Sequence, residues 1–541
     1  MFMDVLFDGD PYLVILTAKV KRKMAHKRSI ILRPAEKLLR ELLLDCRNNI
    51  QESRVSSANL EMWITGGWVR DRLLGIPCSD IDIALSTMTG ERFSHFLTEF
   101  LHKNEELYKK RATELKVPCA KFSGFHTTKK NLGKSKKLET AVEVYEEDSR
   151  TPEMEFGTAE EDAFRRDATV NALFFNLDTQ EVVDLTQKGL DDMASCIIRT
   201  PLEPERTFLD DPLRVLRLIR ISSKLGYTID DETRKCMQDE KIHKALEAKV
   251  SRERIGIEVF KIMKQPNPQI AFSVILEANL YISIFVGSNR ALLSRLRNKL
   301  PTQDETTPWP STWALAYQTL DILLNHDTCP FGDMLRSENS ENLWIMAAYS
   351  PIAGLQETLL KEAVEEATEA IKATSKVSKL LDSALRNLDS IRTIAQLASN
   401  LERTPSRSVV GMALRVWGPT WRSQVVYSYL AELVYEALPT LPAPTLPSKY
   451  DILVSNVIYK YNGLADFITR NGLTNADSLK PLLDGNAIMK LFSLKNGAIF
   501  LKRTIDALIT WQFDHDGWGV DEAAVWLQSQ KAELGIPLVG S

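Results

Sequence analysis

Trp63-Ile64-Thr65-Gly66-Gly67-Trp68-Val69-Arg70-Asp71-Arg72-Leu73-Leu74-Gly75-Ile76-Pro77-Cys78-Ser79-Asp80-Ile81-Asp82 is the stretch on which the fold turns. A hydrophobic run over 60–65 ends at Gly66 and Gly67. The pattern then predicts a short amphipathic helix over 68–74, closed by Gly75 and Pro77. Residues 80–85 alternate like a half-buried strand, with Asp80 and Asp82 on one face and Ile81 and Ile83 on the other. Two carboxylates on one strand face repel each other unless a cation lies between them. Paired glycines ahead of a helix let backbone N–H groups approach a phosphate, and the helix N-terminus favours negative charge there. Alone, Gly-Gly reads as a turn and Asp-x-Asp as a solvated face. In the order strand, Gly-Gly, helix, strand, within roughly fifteen residues, they point to phosphoryl transfer.

Working outward, the 541-residue chain is long enough for two to four domains. Its 44% hydrophobic and 26% charged content is that of a globular protein, and its formal net charge of −4 does not advertise nucleic-acid binding, although a local basic surface remains open. The six cysteines form no Cys-x-x-Cys and the seven histidines no cluster, which argues against zinc and a disulfide framework and for reduced thiols inside a cell. No apolar run has the length to span a bilayer, and Asp4, Asp8 and Asp10 argue against a transit peptide. The basic cluster Lys19, Lys21, Arg22, Lys23, Lys27 and Arg28 reads as a solvated arm, with RNA contact or an import signal as alternatives.

Leu38, Leu39, Leu42 and Leu43 make one stripe of a helix over 33–54, and a second helix is expected over 89–102. Residues 116–138, with Lys129, Lys130, Lys134, Lys136 and Lys137, read as a mobile loop. Thr158 and Glu161 form a capping box opening a helix over 160–166. Residues 172–177 and 181–185 read as a hairpin around Asp178, Thr179 and Gln180. Beyond about 199 strands almost vanish: 211–224, 231–239, 243–248 and 252–264 have helical periodicity, and the remainder is helical segments broken most clearly at 301–310 and 439–447, with no internal repeat.

Two further stretches carry chemistry. Arg165-Arg166-Asp167 and Asn171 precede a strand; arginine supplies forked donors for phosphate, and Asp and Asn can hold ribose hydroxyls, against the alternative of a surface ion-pair helix. In Asp210-Asp211-Pro212-Leu213-Arg214-Val215-Leu216-Arg217-Leu218-Ile219-Arg220, Asp211 and Arg214 sit side by side at a helix start. Asp211 is also a good N-cap ahead of Pro212, and Arg214, Arg217 and Arg220 could be a solvated stripe.

Gly66-Gly67-x-Val69-Arg70-Asp71, Asp80-x-Asp82, Arg165-Arg166-Asp167 with Asn171, Asp210-Asp211-x-x-Arg214, and Ser251-Arg252-Glu253-Arg254 with Glu258 occur in that order. The chain resembles the class II tRNA nucleotidyltransferases, the CCA-adding enzymes, of the eukaryotic, fungal-like type. The match is strong over 35–270 and weaker over 481–511, where Leu482-Leu483-Asp484-Gly485 and Gly497 are similar to the family's C-terminal helices. The resemblance implies an α+β fold: a polymerase-β-like head with a mixed sheet and helices, then an all-α neck, body and tail. The corresponding ranges are an arm at 1–32, a head at 33–205, a neck with the nucleotide-selecting helix at 206–265, and a tRNA-binding body and tail at 266–541.

By the same resemblance, Asp80 and Asp82 hold two Mg²⁺ ions and are the catalytic pair. Gly66 and Gly67 admit the phosphates, and Arg166, Asp167 and Asn171 contact ribose and phosphate. Arg70 and Arg217 join the nucleotide-binding set, although Arg70 with Asp71 reads first as a local pair that braces the helix. Asp211 and Arg214 read the incoming base. Cytosine and adenine each present an amino donor beside a ring-nitrogen acceptor, which suits an aspartate and an arginine; uracil and guanine present the reverse order. Each mismatch leaves a buried polar group unpaired, at about 1–3 kcal/mol. The order C, C, A is assigned by the resemblance to the changing shape of the RNA–protein site. Lys495, Lys502 and Arg503 are candidates for tRNA phosphates, with a solvated face as the alternative, and Arg254 with Glu258 reads as a structural brace.

The expected partners are tRNA, CTP and ATP, with no membrane and no obligate protein partner. The expected location is the cytoplasm, with nucleus and mitochondrion as further compartments. Between 141 and 157 the chain is shorter than its relatives, as if a central head strand were missing; Glu143 could supply an auxiliary carboxylate if 141–145 forms a strand. Two other functions therefore stay open: a poly(A) polymerase of the same superfamily, and a catalytically impaired tRNA-binding variant.

Overall fold

A computed structural model describes residues 29–536 apart from 54–58, 79, 118–140, 145–152, 157, 287–308, 311, 326–327, 356–359, 401, 403, 438–446 and 495–499. The basic arm, the lysine-rich loop and most of the two proline-rich breaks lie outside the described residues. The chain divides into two compact units, the first ending at Lys249 and the second running from Val250. That boundary falls inside the segment 206–265 that the sequence sets apart.

In the first unit, helix α1 (Pro34–Glu52) buries Leu38, Leu42, Leu43, Cys46 and Ile50. Strand β1 (Met62–Thr65) follows, then α2 (Gly67–Leu74) and β2 (Asp82–Leu85). Gly66 enters α2 at φ +74°, and Gly75 ends it in the left-handed conformation; both are backbone states that a Cβ disfavours. The strand begins at Asp82, two residues later than the alternation predicts, so Asp80 stands on the approach to it.

Helices α3 (Gly90–Lys103) and α4 (Glu105–Glu114) come next. Then β3 (Ala141–Val144) pairs antiparallel with β4 (Glu153–Phe156). Helix α5 (Ala159–Phe164) carries the expected capping box: Thr158 N donates to Glu161 Oε2 at 2.7 Å and Glu161 N to Thr158 Oγ1 at 3.2 Å. A single 3₁₀ turn, Thr169–Asn171, leads to the hairpin of β5 (Leu173–Asn176) and β6 (Val182–Asp184).

The sheet order is β2-β1-β5-β6, antiparallel throughout. Since the side-chain period is two, this register sorts the residues onto two faces. Met62, Ile64, Leu85, Leu173 and Phe175 form the inner face, and Phe175 packs on Trp68 of α2 with ring centroids 5.7 Å apart. Trp63, Thr65, Asp82, Ala84 and Phe174 form the other face, where Ala163 of α5 packs. Strand β3 does form over 141–144, but within the described residues it joins only β4 and not the four-stranded sheet. The side chain of Glu143 lies outside the described set.

Helix α6 (Gly189–Ser195), strand β7 (Ile197–Ile198), and helices α7 (Pro204–Asp210) and α8 (Arg214–Leu225) follow. Strand β8 (Thr228–Ile229) pairs parallel with β7, and α9 (Asp231–Met237) and α10 (Glu240–Lys249) end the unit. The helix expected over 211–224 thus starts at Arg214. Asp211 caps the turn before it: its Oδ1 accepts from Leu213 N at 3.3 Å and its carbonyl from Arg214 N at 3.0 Å. Pro212 has no N–H to offer, which is why the turn closes on its neighbours.

The described secondary structure of the second unit is helical. Phe272 centres an aromatic core, its ring 5.3 Å from Trp313 and 5.4 Å from Trp344. The helix Arg252–Met263 crosses Ile371 so closely that a Cβ at Gly256 would lie 1.9 Å from the Ile371 carbonyl oxygen. No helix among the described residues is long and apolar enough to cross a membrane.

Candidate active site

The register of β1 on β2 places Thr65 opposite Asp82. Gly66 follows immediately, and a Cβ there would lie 3.5 Å from Asp82 Oδ2 and 3.1 Å from Arg166 Nη1. A carboxylate, a backbone turn without a side chain, and a guanidinium therefore converge at the end of β1. Asp80 and Asp82 are both exposed, with Cys78 Sγ donating to the Asp80 carbonyl at 3.4 Å.

Arg166 is held on three sides. Its Nε and Nη2 donate to Asp162 Oδ2 at 3.1 and 2.7 Å, Nη2 donates to Thr65 Oγ1 at 2.7 Å, and Nη1 donates to the Asn171 carbonyl at 3.2 Å. Its Cζ lies 5.1 Å from the Phe174 ring centroid. Thr65 and Asp162 were not singled out in the sequence. Asp162 was readable as the i−4 partner of Arg166; Thr65, 101 residues away, was readable only once the strand register was known.

Arg70, Asp167 and Asn171 are buried, and their polar groups face one another and not an open surface. Arg70 Nε and Nη2 donate to Asp71 Oδ1 at 2.8 and 2.7 Å, and its Nη1 donates to Asn171 Oδ1. Asn171 Nδ2 donates to Asp167 Oδ1 at 2.9 Å, as does Ala168 N at 2.9 Å. Arg217 Nε and Nη2 donate to Asp167 Oδ2 at 2.7 and 2.6 Å. Burial opposes ionisation of Asp167, but the Arg217 charge, the Asn171 and Arg217 hydrogen bonds and the Arg220 charge outweigh it and hold the carboxyl down at about 2.

Arg214 and Arg217 are not a solvated stripe. Arg214 Nη2 donates to the Arg165 carbonyl at 2.7 Å and Nη1 to the Thr207 carbonyl at 3.2 Å, and Nη1 pairs with Asp210 Oδ2 at 3.2 Å. Three acceptors leave part of its five-donor fork uncommitted. Asp211, half-buried, stands beside it at the start of α8. Lys224 at the other end of that helix, also absent from the sequence candidates, donates to Asp71 Oδ2 at 2.7 Å.

The donor set suits a hard divalent cation. No group of three or more His, Cys, Asp or Glu side chains among the described residues could cage a metal. The exposed Asp82 carboxylate beside an open turn, with the exposed Asp80 two residues before it, instead matches the way Mg²⁺ is held, by one or two carboxylates with substrate phosphates and water completing the shell. In the second unit, Lys502 and Arg503 are exposed on the first turn of the helix Leu501–Asp514. Lys495 and Gly497 lie outside the described residues.

A family model described as "Poly A polymerase head domain" matches residues 62–199. Nucleotidyltransferase lcsQ of Purpureocillium lilacinum is 34% identical, the alignment covering 96% of this chain and 95% of that protein. tRNA nucleotidyltransferase cca2 of Schizosaccharomyces pombe is 33% identical over 93% of this chain and 99% of its own. The mitochondrial CCA tRNA nucleotidyltransferase of Saccharomyces cerevisiae is 35% identical over 84% and 85%. Among solved structures, Thermotoga maritima CCA-adding enzyme complexed with tRNA shares the fold, with a TM-score of 0.56 at 15% identity over 94% of this chain and 98% of that one.

Proposed function

The chain belongs to the tRNA nucleotidyltransferase (CCA-adding enzyme) family, and on that premise we propose that it adds C, C and A to the 3′ end of tRNA from CTP and ATP without a nucleic-acid template. The observation that carries the proposal is the convergence of Asp82, Gly66 and Arg166 at the end of β1.

Asp80 and Asp82 would hold Mg²⁺. When bound, the metal would activate the tRNA 3′-hydroxyl and neutralise the triphosphate. Gly66 and Gly67 open the backbone to phosphate, and the first N–H groups of α2 face it with the positive end of the helix dipole. Arg166, fixed by Asp162 and Thr65, is aimed beside that turn as a cation for the phosphates. Asp211 accepts from the amino group of C or A, and the uncommitted N–H of Arg214 donates to the neighbouring ring nitrogen. Arg70, Asp167 and Asn171 act as a brace beneath these groups; their donors and acceptors are engaged within the protein. The division into head, neck, body and tail is part of this proposal, with Lys502 and Arg503 as tRNA-phosphate contacts in the tail. Two relatives carry "mitochondrial" in their names, which supports a mitochondrial location; cytoplasmic and nuclear pools are proposed beside it.

The test is incorporation of labelled nucleotides into tRNA lacking its terminal CCA. The expected result is two cytidines with CTP alone, one adenosine more when ATP is added, and incorporation from UTP or GTP slower by about 30-fold or more. Adenosine tails without CTP incorporation would identify a poly(A) polymerase, and tRNA binding without turnover would leave a tRNA-binding protein.

A further inference from the structure

Arg217 and Lys224 lie seven residues apart on α8, so they project from the same side of the helix about two turns, roughly 10 Å, apart. Each grips a buried carboxylate on a different segment. Arg217 holds Asp167, which follows Arg166, and Lys224 holds Asp71, on the helix that begins at Gly67. Behind α8 the two carboxylates are joined to each other. Asp71 binds Arg70, Arg70 binds Asn171, and Asn171 binds Asp167. The circuit Arg217–Asp167–Asn171–Arg70–Asp71–Lys224 is closed, and both of its ends are on one helix.

We propose that Lys224 is a positioning residue for nucleotide choice: its tie to Asp71 fixes α8 against the Gly66-Gly67 helix, so that Asp211 and Arg214 stand at a set distance from Asp82. The inference rests on the base-reading role given to Asp211 and Arg214. Arg214 and Arg217 both tie the start of α8 to the 165–167 segment, and these hydrogen bonds by themselves leave a pivot there. A second tie two turns away removes the pivot. Selection by two hydrogen bonds is sensitive to such motion, since a misplacement of about 1 Å can cost a factor of 10² at a reacting site. Loss of Lys224 also leaves no buried charge alone. Asp71 keeps Arg70, through two hydrogen bonds of 2.8 and 2.7 Å, and the pair stays neutral.

The experiment uses the full chain and tRNA lacking CCA. It compares kcat and KM for CTP and UTP, together with Tm, in the parent, Lys224→Met and Lys224→Arg. We expect the CTP-over-UTP ratio of kcat/KM to fall about tenfold in Lys224→Met, the worth of one weakened hydrogen bond. It should recover to within about threefold of the parent in Lys224→Arg, which keeps a cation for Asp71. Lys224→Gln, a neutral donor, should fall between them and serves if the Met variant does not fold. A lowered Tm with CTP and UTP rates reduced in proportion, or no change in the ratio in any variant, overturns the positioning role and leaves the proposed function standing. Absence of CTP incorporation by the parent chain overturns both.

Discussion

A methyl group at Gly66 has no place to go without moving the site. Its Cβ would meet Arg166 Nη1 at 3.1 Å, and the φ of +74° would strain any L-residue. Gly66→Ala should therefore cost about 1–2 kcal/mol of stability and push Arg166 off its Thr65 and Asp162 anchors. A melting curve paired with a CTP-incorporation assay checks both, with at least about a tenfold loss of rate expected. Asp82 is the opposite case, exposed and carrying no fold. Asp82→Asn should leave Tm within about 2 °C yet reduce incorporation by about 10³-fold or more, while tRNA binding measured by fluorescence anisotropy holds. Asp167 gives a pH signature. Its carboxyl, held down at about 2 in the fold, lies below the ordinary aspartate value of 3.8, so it contributes stability above about pH 4 that is lost as pH falls toward 2. The contribution is roughly 2 kcal/mol. Urea denaturation of the parent and Asp167→Asn should differ at pH 5 and converge as the pH approaches 2. Gly66, Asp80 and Asp82 were legible because their meaning is local, written within one short stretch. The partners that decide the rest were not: Lys224 reaches Asp71 across 153 residues, and no period in the sequence encodes that meeting.

Elements were legible where one interaction type decides them. The Thr158 and Glu161 box sets the start of α5, and Gly75 ends α2 in a left-handed turn. Boundaries slipped where two interactions compete. Apolar alternation argued for a strand from Asp80, but β1 offers Asp82 its last ladder partner, Thr65, so pairing begins there. Asp211 looked like the cap of a helix continuing from it, but its carboxylate and carbonyl close a turn first and the helix starts at Arg214. A glycine within a helix reads from the sequence as a propensity cost of about 1 kcal/mol. Gly256 is instead a steric requirement, because the Ile371 carbonyl fills the place of its Cβ. Gly256→Ala should destabilise the chain by about 3 kcal/mol, visible as a fall in Tm, although substitution by the better helix former would be expected to stabilise.

For the molecule as a whole, the passage from an α/β beginning to a helical remainder was plain in the disappearance of strand patterns after about residue 199, and among the described residues only the short β8 follows that point. The strand order β2-β1-β5-β6 was not plain, since it brings together runs more than a hundred residues apart. A chain of net charge −4 must grip a polyanion through local patches. If three or four phosphates are neutralised, tRNA affinity should fall about 10- to 100-fold between 50 and 200 mM salt. Anisotropy titrations at the two concentrations measure it, and Lys502→Glu with Arg503→Glu should flatten the slope. The circuit beneath the proposed nucleotide site bears on the same question. It contains three cations, Arg70, Arg217 and Lys224, against two anions, Asp71 and Asp167. Taken by themselves, these five groups sum to one positive charge. None of these cations can diffuse away as a counter-ion would; Arg70 is enclosed, its side chain 6% exposed, while Arg217 and Lys224 reach solvent at 40% and 26%. An overall acidic protein thus keeps cations built into the fold beside the glycine turn proposed for the triphosphate, where a Cβ at Gly67 would lie 3.4 Å from Arg70 Nη2.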